Sequence, residues 1–417
     1  MNIYTSSSVI LFLTTSLAFV SYAFNLVSSR FLFIKGMLIY LVCYGISSFI
    51  GDMSFLDSVT SIEAALDYQG ILIHGFLSYL LFAGALQIHM KTFFDKLPEI
   101  LSLALISTSL ATFLTAFCLY TVSMYTATPL SLIACLLFSA CVSPTDPIAV
   151  IALLRNVKLP PSIETKIAGE SLLNDGIGIV FFTTFLHLAS SSSPNLYTAF
   201  ILFFKEALGG LFSGYMITLA WVQLIGLVGA KTTSSKIDIY WSLSLVNLVY
   251  LLGCMLGVSV PLACVSAGLT ASYKLSSFSK QRYTNLLNFW EVIDDILNTI
   301  IFFLTGTLIF RVMVLHHMLS TIVLSVVITC IMRVVSVYLP LRCMLFWRYQ
   351  YKNLVSVVSL SGLKGGLSLA LALSIPNDLP GHELIFGMTF AVVAFTLVIQ
   401  SSVVTSYAQY LNDHGKL

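Results

Sequence analysis

Charge is what this sequence has least of. Only 9% of its 417 residues are Asp, Glu, Lys or Arg, while 58% are hydrophobic, and the mean hydropathy is +0.96. A soluble domain carries roughly a quarter charged residues, so a water-soluble body is excluded. An excess of one sign is missing too: the net charge of +2 gives no reason to expect a nucleic-acid partner. No CxxC pair occurs among the eight cysteines, which lie mostly inside apolar runs and read as small packing residues. The histidines show no metal-ligand spacing, and the candidate serines have no histidine at similar depth, so neither a metal centre nor an intramembrane hydrolase is expected. The opening stretch, MNIYTSSSVILFLTTSLAFVSYAF, lacks the basic region of a secretory signal and reads as a first membrane helix. No connection is long enough for an extramembrane domain, and the tail after the last apolar run is short, so no cytosolic domain for regulatory partners is expected.

What is abundant is uninterrupted apolar sequence. The alternation of a β-barrel is absent, and the runs approach the ~20 residues with which a helix spans a bilayer. They predict an all-α integral membrane protein with about thirteen spans. These are 8–27, 36–50, 70–88, 98–121, 129–153, 166–188, 197–228, 238–253, 256–273, 288–310, 318–340, 354–375 and 384–407. With that number, sixteen of the twenty Lys and Arg fall on the side that holds the connections after odd-numbered spans. Basic residues stay cytoplasmic, which places the N-terminus outside and the C-terminus in the cytoplasm.

Two spans are broken at their centres. The fifth contains SPTDP, in which Pro144 and Pro147 lack amide hydrogens and disfavour helix at Ser143 and Asp146. The twelfth contains SGLKGG, Ser361 to Gly366. The two breaks lie seven spans apart and run in opposite senses across the membrane. Paired interruptions of this kind point to a transport site built on inverted repeats, with two unwound helices at its centre. Non-helical backbone at membrane depth is tolerated only where it is buried in protein or lines a cavity. Freed carbonyls and the hydroxyl of Thr145 are hard oxygen ligands for an alkali cation, and Asp146 offsets the positive end of the second half-helix.

The sixth span carries AGESLLNDGIGIV. Ser171, Asn174, Asp175 and Gly178 fall at i, i+3, i+4 and i+7, on one helix face, and Glu170 stands one turn before Asn174. Charged groups this deep are costly and mark ion or proton pathways. A carboxylate withdrawn from water holds a bare charge poorly, so protons compete with metal ions for it; Asp175 is the candidate. Lys364, among the glycines of the twelfth span, either neutralises carbonyl ends or pairs with an acid such as Glu170. In the tenth span, FWEVIDDILNTIIFFLTG, Glu291, Asp294 and Asn298 belong either to a cytoplasmic funnel or second shell, or to solvation of a helix end. Arg333 is a core ion-pair member or a snorkelling residue.

SPTDPIAV, GESLLNDGIGIV, FWEVIDDILNTIIFFLTG, GLKGGLSLALALSIP and FTLVIQSSVV, in this order and spacing, closely resemble the sodium/proton exchanger family of monovalent cation/proton antiporters, over nearly the whole chain. The Asn174–Asp175 pair resembles the electroneutral branch of that family. The resemblance implies a homodimer in the membrane lipid. Each protomer would have interface helices one to three (residues 1–96) and eight to ten (231–313), a linker helix seven (190–230), and a mobile core of helices four to six (97–189) and eleven to thirteen (314–417). It also implies that Asp175, Ser171, Asp146 and the Thr145 carbonyl hold Na⁺, with Glu170 nearby. Asn174, Lys364, Pro144 and Pro147 would support the site, Asn174 and Glu170 acting together with the basic residue of helix twelve.

Three positions depart from the family pattern: Lys364 stands where arginine is usual, Ala83 where a polar or acidic residue is frequent, and Ser401 where glycine is common. Lysine lacks the bidentate fork of arginine, which puts the Glu170 contact in question. The expected activity is one-for-one exchange of Na⁺ or Li⁺ for H⁺ across a cell (inner) membrane by alternating access, with no cofactor beyond the transported ions. Exchange of K⁺ for H⁺ on the same scaffold is the close alternative; a cation channel or a solute symporter is the alternative from another class.

Overall fold

The structure is a computed structural model, and it describes residues 75–126, 128–146, 150, 161–190, 195–229, 235–275, 280–307, 318–343 and 352–414. The first two expected spans and Pro147 lie outside these residues. Among the described residues every regular element is helical. Helix α1 (Leu77–Gln87) is followed by a short α2 (Met90–Asp95) and by α3 (Leu97–Ser123). Then come α4 (Leu132–Val142), α5 (Pro161–Ser190), α6 (Leu196–Gly229), α7 (Ser235–Leu256) and α8 (Val260–Leu275). They continue with α9 (Lys280–Thr307), α10 (Leu319–Cys343), α11 (Lys352–Leu360) and α12 (Gly366–Leu373), and end with α13 (His382–Asp413).

Helices stand where the third and later spans were expected, and their ends differ for a physical reason. Hydropathy sees only the stretch inside hydrocarbon, whereas hydrogen bonding continues the helix into the polar margin. Helix α9 is therefore already helical at Lys280, well before the apolar window, and α5 is already helical at Pro161. The fifth and twelfth spans are broken as the prolines and glycines require. Helix α4 ends at Val142 and the chain runs non-helically through Pro144 to Asp146, while α11 and α12 are separated by non-helical backbone at Gly362 to Gly365.

Two groups of helices emerge from the packing. Helices α3, α4, α5, α10, α12 and α13 pack on one another, and α1, α6, α7, α8 and α9 form a second set. Contact between the sets runs chiefly through α5, against α1, α6 and α8, and through α9 against α12. In a bilayer, lipid tails are as apolar as leucine, so helices associate by close approach and hydrogen bonding instead of by escape from water. Gly214 on α6 shows this: a Cβ there would collide with the backbone oxygen of Ala263 on α8. The opposite face of α6 exposes Phe200, Phe204, Leu208 and Phe212, one per turn, as a lipid-facing surface. Trp290 of α9 is fully buried, packs on the Phe82 ring at 4.9 Å, and donates its indole N–H to Ser242 Oγ at 3.0 Å. That contact fastens α9 to α1 and α7.

Candidate ion-binding site

The two broken spans meet. The amide N–H of Asp146, freed because Pro144 and its surroundings are not helical, donates to the carbonyl oxygen of Leu363 at 2.8 Å. Each break thus satisfies a backbone group that the other leaves open, as buried backbone must be satisfied somewhere. Asp146 lies so close to the second break that a Cβ on Gly365 would stand 2.8 Å from its Oδ2; glycine at 365 is what admits the carboxylate.

Helix α5 passes the crossing and presents its polar face to it. The amide of Thr145 donates to Asp175 Oδ1 at 3.1 Å, and the Thr145 hydroxyl donates to Ser171 Oγ at 2.9 Å. Asn174 Nδ2 donates to the Ser143 carbonyl at 3.2 Å and to Thr145 Oγ1 at 3.1 Å. The i, i+3, i+4 spacing of Ser171, Asn174 and Asp175 therefore brings all three onto the broken segment. Gly178, one turn further, lets Pro144 pack against α5: a Cβ there would come within 2.9 Å of the proline ring.

A cavity opens beside this crossing. Its polar lining is Thr145, Asp146, Asp175 and Asn298, and its walls are leucines of α1 together with Leu172, Ile301 and Gly365. Two carboxylates, a hydroxyl-bearing threonine and an amide thus share one space with apolar surroundings. Such an arrangement stabilises a small cation or a proton, because neither carboxylate can shed its charge into bulk water. Ser171 stands behind Thr145, one hydrogen bond from it.

The basic residues are placed differently from what the resemblance implies. Glu170 turns to Arg333 of α10, whose Nη2 donates to Glu170 Oε1 at 2.6 Å, and both side chains are buried. Lys364 Nζ instead donates to the carbonyl oxygen of Ser143 at 3.0 Å. Of the two roles open to it from sequence, Lys364 takes the neutralising of a carbonyl end. The physical reason is reach: the Ser143 carbonyl lost its helical partner at the break, and a compact ammonium fits there beside the Asn174 amide. Consequently the Ser143 carbonyl, counted among the freed oxygens, is already occupied by two donors. Arg333 lies against Gly362, where a Cβ would sit 2.6 Å from its Nε.

Asp294 and Asn298 also separate from the helix-end reading. Asp294 is buried, lies in electrostatic range of Asp146, and accepts from the Asn298 amide, while Glu291 one turn earlier is exposed. Two residues that support the crossing were not singled out from sequence. Thr396 Oγ1 accepts the Lys364 amide at 3.2 Å, and Gln400 Nε2 donates to the Leu360 carbonyl at the end of α11 at 2.7 Å. Both belong to a π-helical segment of α13, Thr396–Gln400, and such bulges recur at functional sites. Their i, i+4 spacing on an otherwise apolar helix was the available signal.

Residues 9–410 match the family model described as sodium/hydrogen exchanger, transmembrane. The Na(+)/H(+) antiporter NhaP of Pseudomonas aeruginosa is 31% identical over 405 residues, covering 93% of this chain and 92% of that protein. The Na(+)/H(+) antiporter NhaH of Halobacillus dabanensis is 29% identical over 340 residues, covering 80% of this chain and 81% of that protein. Among solved structures, the sodium proton antiporter MjNhaP1 from Methanocaldococcus jannaschii at pH 8 superimposes with a TM-score of 0.72 over 98% of this chain and 97% of that one. Its sequence identity is 18%, so this likeness speaks to the fold.

Proposed function

This chain belongs to the sodium/hydrogen exchanger family, and from that premise we propose that it is a secondary antiporter exchanging a monovalent cation, Na⁺ or Li⁺, for H⁺ across the cell membrane. The observation that carries the reading is the shared cavity of Asp175 and Asp146 at the crossing of the two broken spans. Asp175 takes either the cation or the proton. Asp146, Thr145 and Ser171 complete the oxygen set, and Asn174, Lys364 and Pro144 hold the broken segment in place. A deep carboxylate left bare is costly, whereas one neutralised by either ion is not. Movement of the core is then allowed when the site is loaded and opposed when it is empty, which couples the two fluxes one for one without a cofactor.

The two packed sets of helices are suited to alternating access. The set formed by α3, α4, α5 and α10 to α13 would be the moving core, carrying the carboxylates. The set with α1 and α7 to α9 would be the stationary scaffold and would contribute to the dimer interface. Helix α6 packs along α8 and would travel with the scaffold.

The test is Na⁺-driven proton efflux from proteoliposomes loaded with a pH-sensitive dye, with Na⁺, Li⁺ and K⁺ compared in parallel. Wild-type protein should respond to Na⁺ and Li⁺ without net current, and Asp175→Asn should be silent while remaining folded and monodisperse. A response to K⁺ alone would assign the chain to K⁺/H⁺ exchange, and a steady current without proton coupling would mark a channel.

A further inference from the structure

We infer that Asn298 is a ligand for the transported alkali cation, supplied by the scaffold helix α9 to an ion otherwise held by the core; the inference rests on the antiport reading above. The Asn298 amide has two ends with different fates. Its Nδ2 donates to the carbonyl oxygen of Asp294 at 3.0 Å and to Asp294 Oδ1 at 3.2 Å. A backbone carbonyl can only accept, so the nitrogen end of the amide must face Asp294 and the oxygen end must face away. Among the described residues that oxygen accepts no hydrogen bond, and Asn298 lines the same cavity as Asp146, Asp175 and Thr145. Asp294 therefore acts as a positioning residue, fixing which atom of its neighbour the cavity sees.

An amide oxygen is a hard, neutral donor that replaces a water in the shell of an alkali cation. It adds no charge, so it leaves the balance between one cation and one proton unaltered. A proton on Asp175 makes no use of it, because one carboxyl hydrogen needs one acceptor and the cation needs several. Asn298 thus favours the metal ion over the proton within the same space.

Its placement has a mechanical consequence. Asp146 and Asp175 lie on the set of helices containing α4, α5 and α12, whereas Asn298 lies on α9, which packs with α1 and α7. A cation seated in the cavity touches both sets, and when the core carries it to the other face the Asn298 oxygen stays behind. The ligand therefore assists loading from one face of the membrane only.

The experiment measures half-saturating Na⁺ and Li⁺ separately on the two faces, in proteoliposomes sorted by orientation, for wild type, Asn298→Leu, Asn298→Ser and Asp175→Asn. Loss of one favourable oxygen contact should raise the half-saturating concentration about tenfold on one face, with the maximal rate within about twofold of wild type because binding and not chemistry is altered. Asn298→Ser withdraws the oxygen from the cavity while keeping a small polar group, so it carries the same expectation if the leucine variant fails to fold. Unchanged half-saturation on both faces, with Asp175→Asn inactive, would overturn the role of Asn298 and leave the site standing. Equal weakening on both faces would also overturn it, since a packing defect has no side. Activity in Asp175→Asn would instead remove the site reading itself.

Discussion

Arg333 Nη2 stands 2.6 Å from Glu170 Oε1, with both side chains buried between α10 and α5. These residues are 163 positions apart in the chain, and the pair ties the helix that bears Asp175 to the opposite half of the core. Removing one partner of a buried pair leaves an uncompensated charge, which typically costs about 3–5 kcal/mol. Glu170→Ala or Arg333→Ala should therefore lower the thermal unfolding midpoint of detergent-purified protein clearly. The double variant Glu170→Gln/Arg333→Met should recover a substantial part of that loss. A double variant as unstable as the sum of the singles would show that the two residues do not act as a pair.

The Thr145 hydroxyl stands between Ser171 and Asn174, donating to one at 2.9 Å and accepting from the other at 3.1 Å. Thr145→Val keeps the shape and removes both bonds. Each lost hydrogen bond of this kind is worth roughly 1 kcal/mol, so the half-saturating Na⁺ should rise about five- to thirtyfold. Thr145→Ser should stay close to wild type. Flux titrations at fixed pH distinguish the two variants.

Competition for Asp175 fixes the sign of the pH dependence. A proton on the carboxylate must leave before the cation binds, so acid raises the half-saturating Na⁺ and leaves the maximal exchange rate reachable at high Na⁺. On the acid limb the rise should approach about tenfold per pH unit, the slope of a one-proton exchange. Titrations of flux against Na⁺ at several symmetric pH values read this slope. A fall in maximal rate at constant half-saturation would instead place the proton on a separate group.

Gly365 admits the Asp146 carboxylate at the second break. A methyl group there would stand 2.8 Å from Oδ2 and 2.9 Å from Cβ of Asp146, closer than unbonded atoms settle. Gly365→Ala should therefore displace Asp146 and reduce Na⁺-dependent flux severely. The same substitution at Gly84 of α1, where the nearest atom is 3.6 Å away on a leucine side chain, should be tolerated. Parallel flux assays on the two alanine variants, with size-exclusion profiles as the folding control, decide the matter.

The membrane class, the two interrupted spans and the polar face of α5 are all legible in the amino-acid sequence by itself. They depend on local properties: hydropathy over about 20 residues, the missing amides of Pro144 and Pro147, and the 3.6-residue period that aligns Ser171, Asn174 and Asp175. Spacing along one helix fixes which side chains share a face, and that much survives folding unchanged. The choice of partners is decided elsewhere. Two buried cations, Arg333 and Lys364, compete for Glu170 and for the open carbonyl of Ser143, and every one of these groups must be satisfied away from water. Sequence spacing shows the competition without its outcome, because the outcome depends on where α10 and the second break cross α5. The Asp146 amide meeting the Leu363 carbonyl and the Gln400 amide closing the end of α11 are facts of the same kind. Each joins residues from different helices, and only the three-dimensional crossing of those helices brings donor and acceptor within reach.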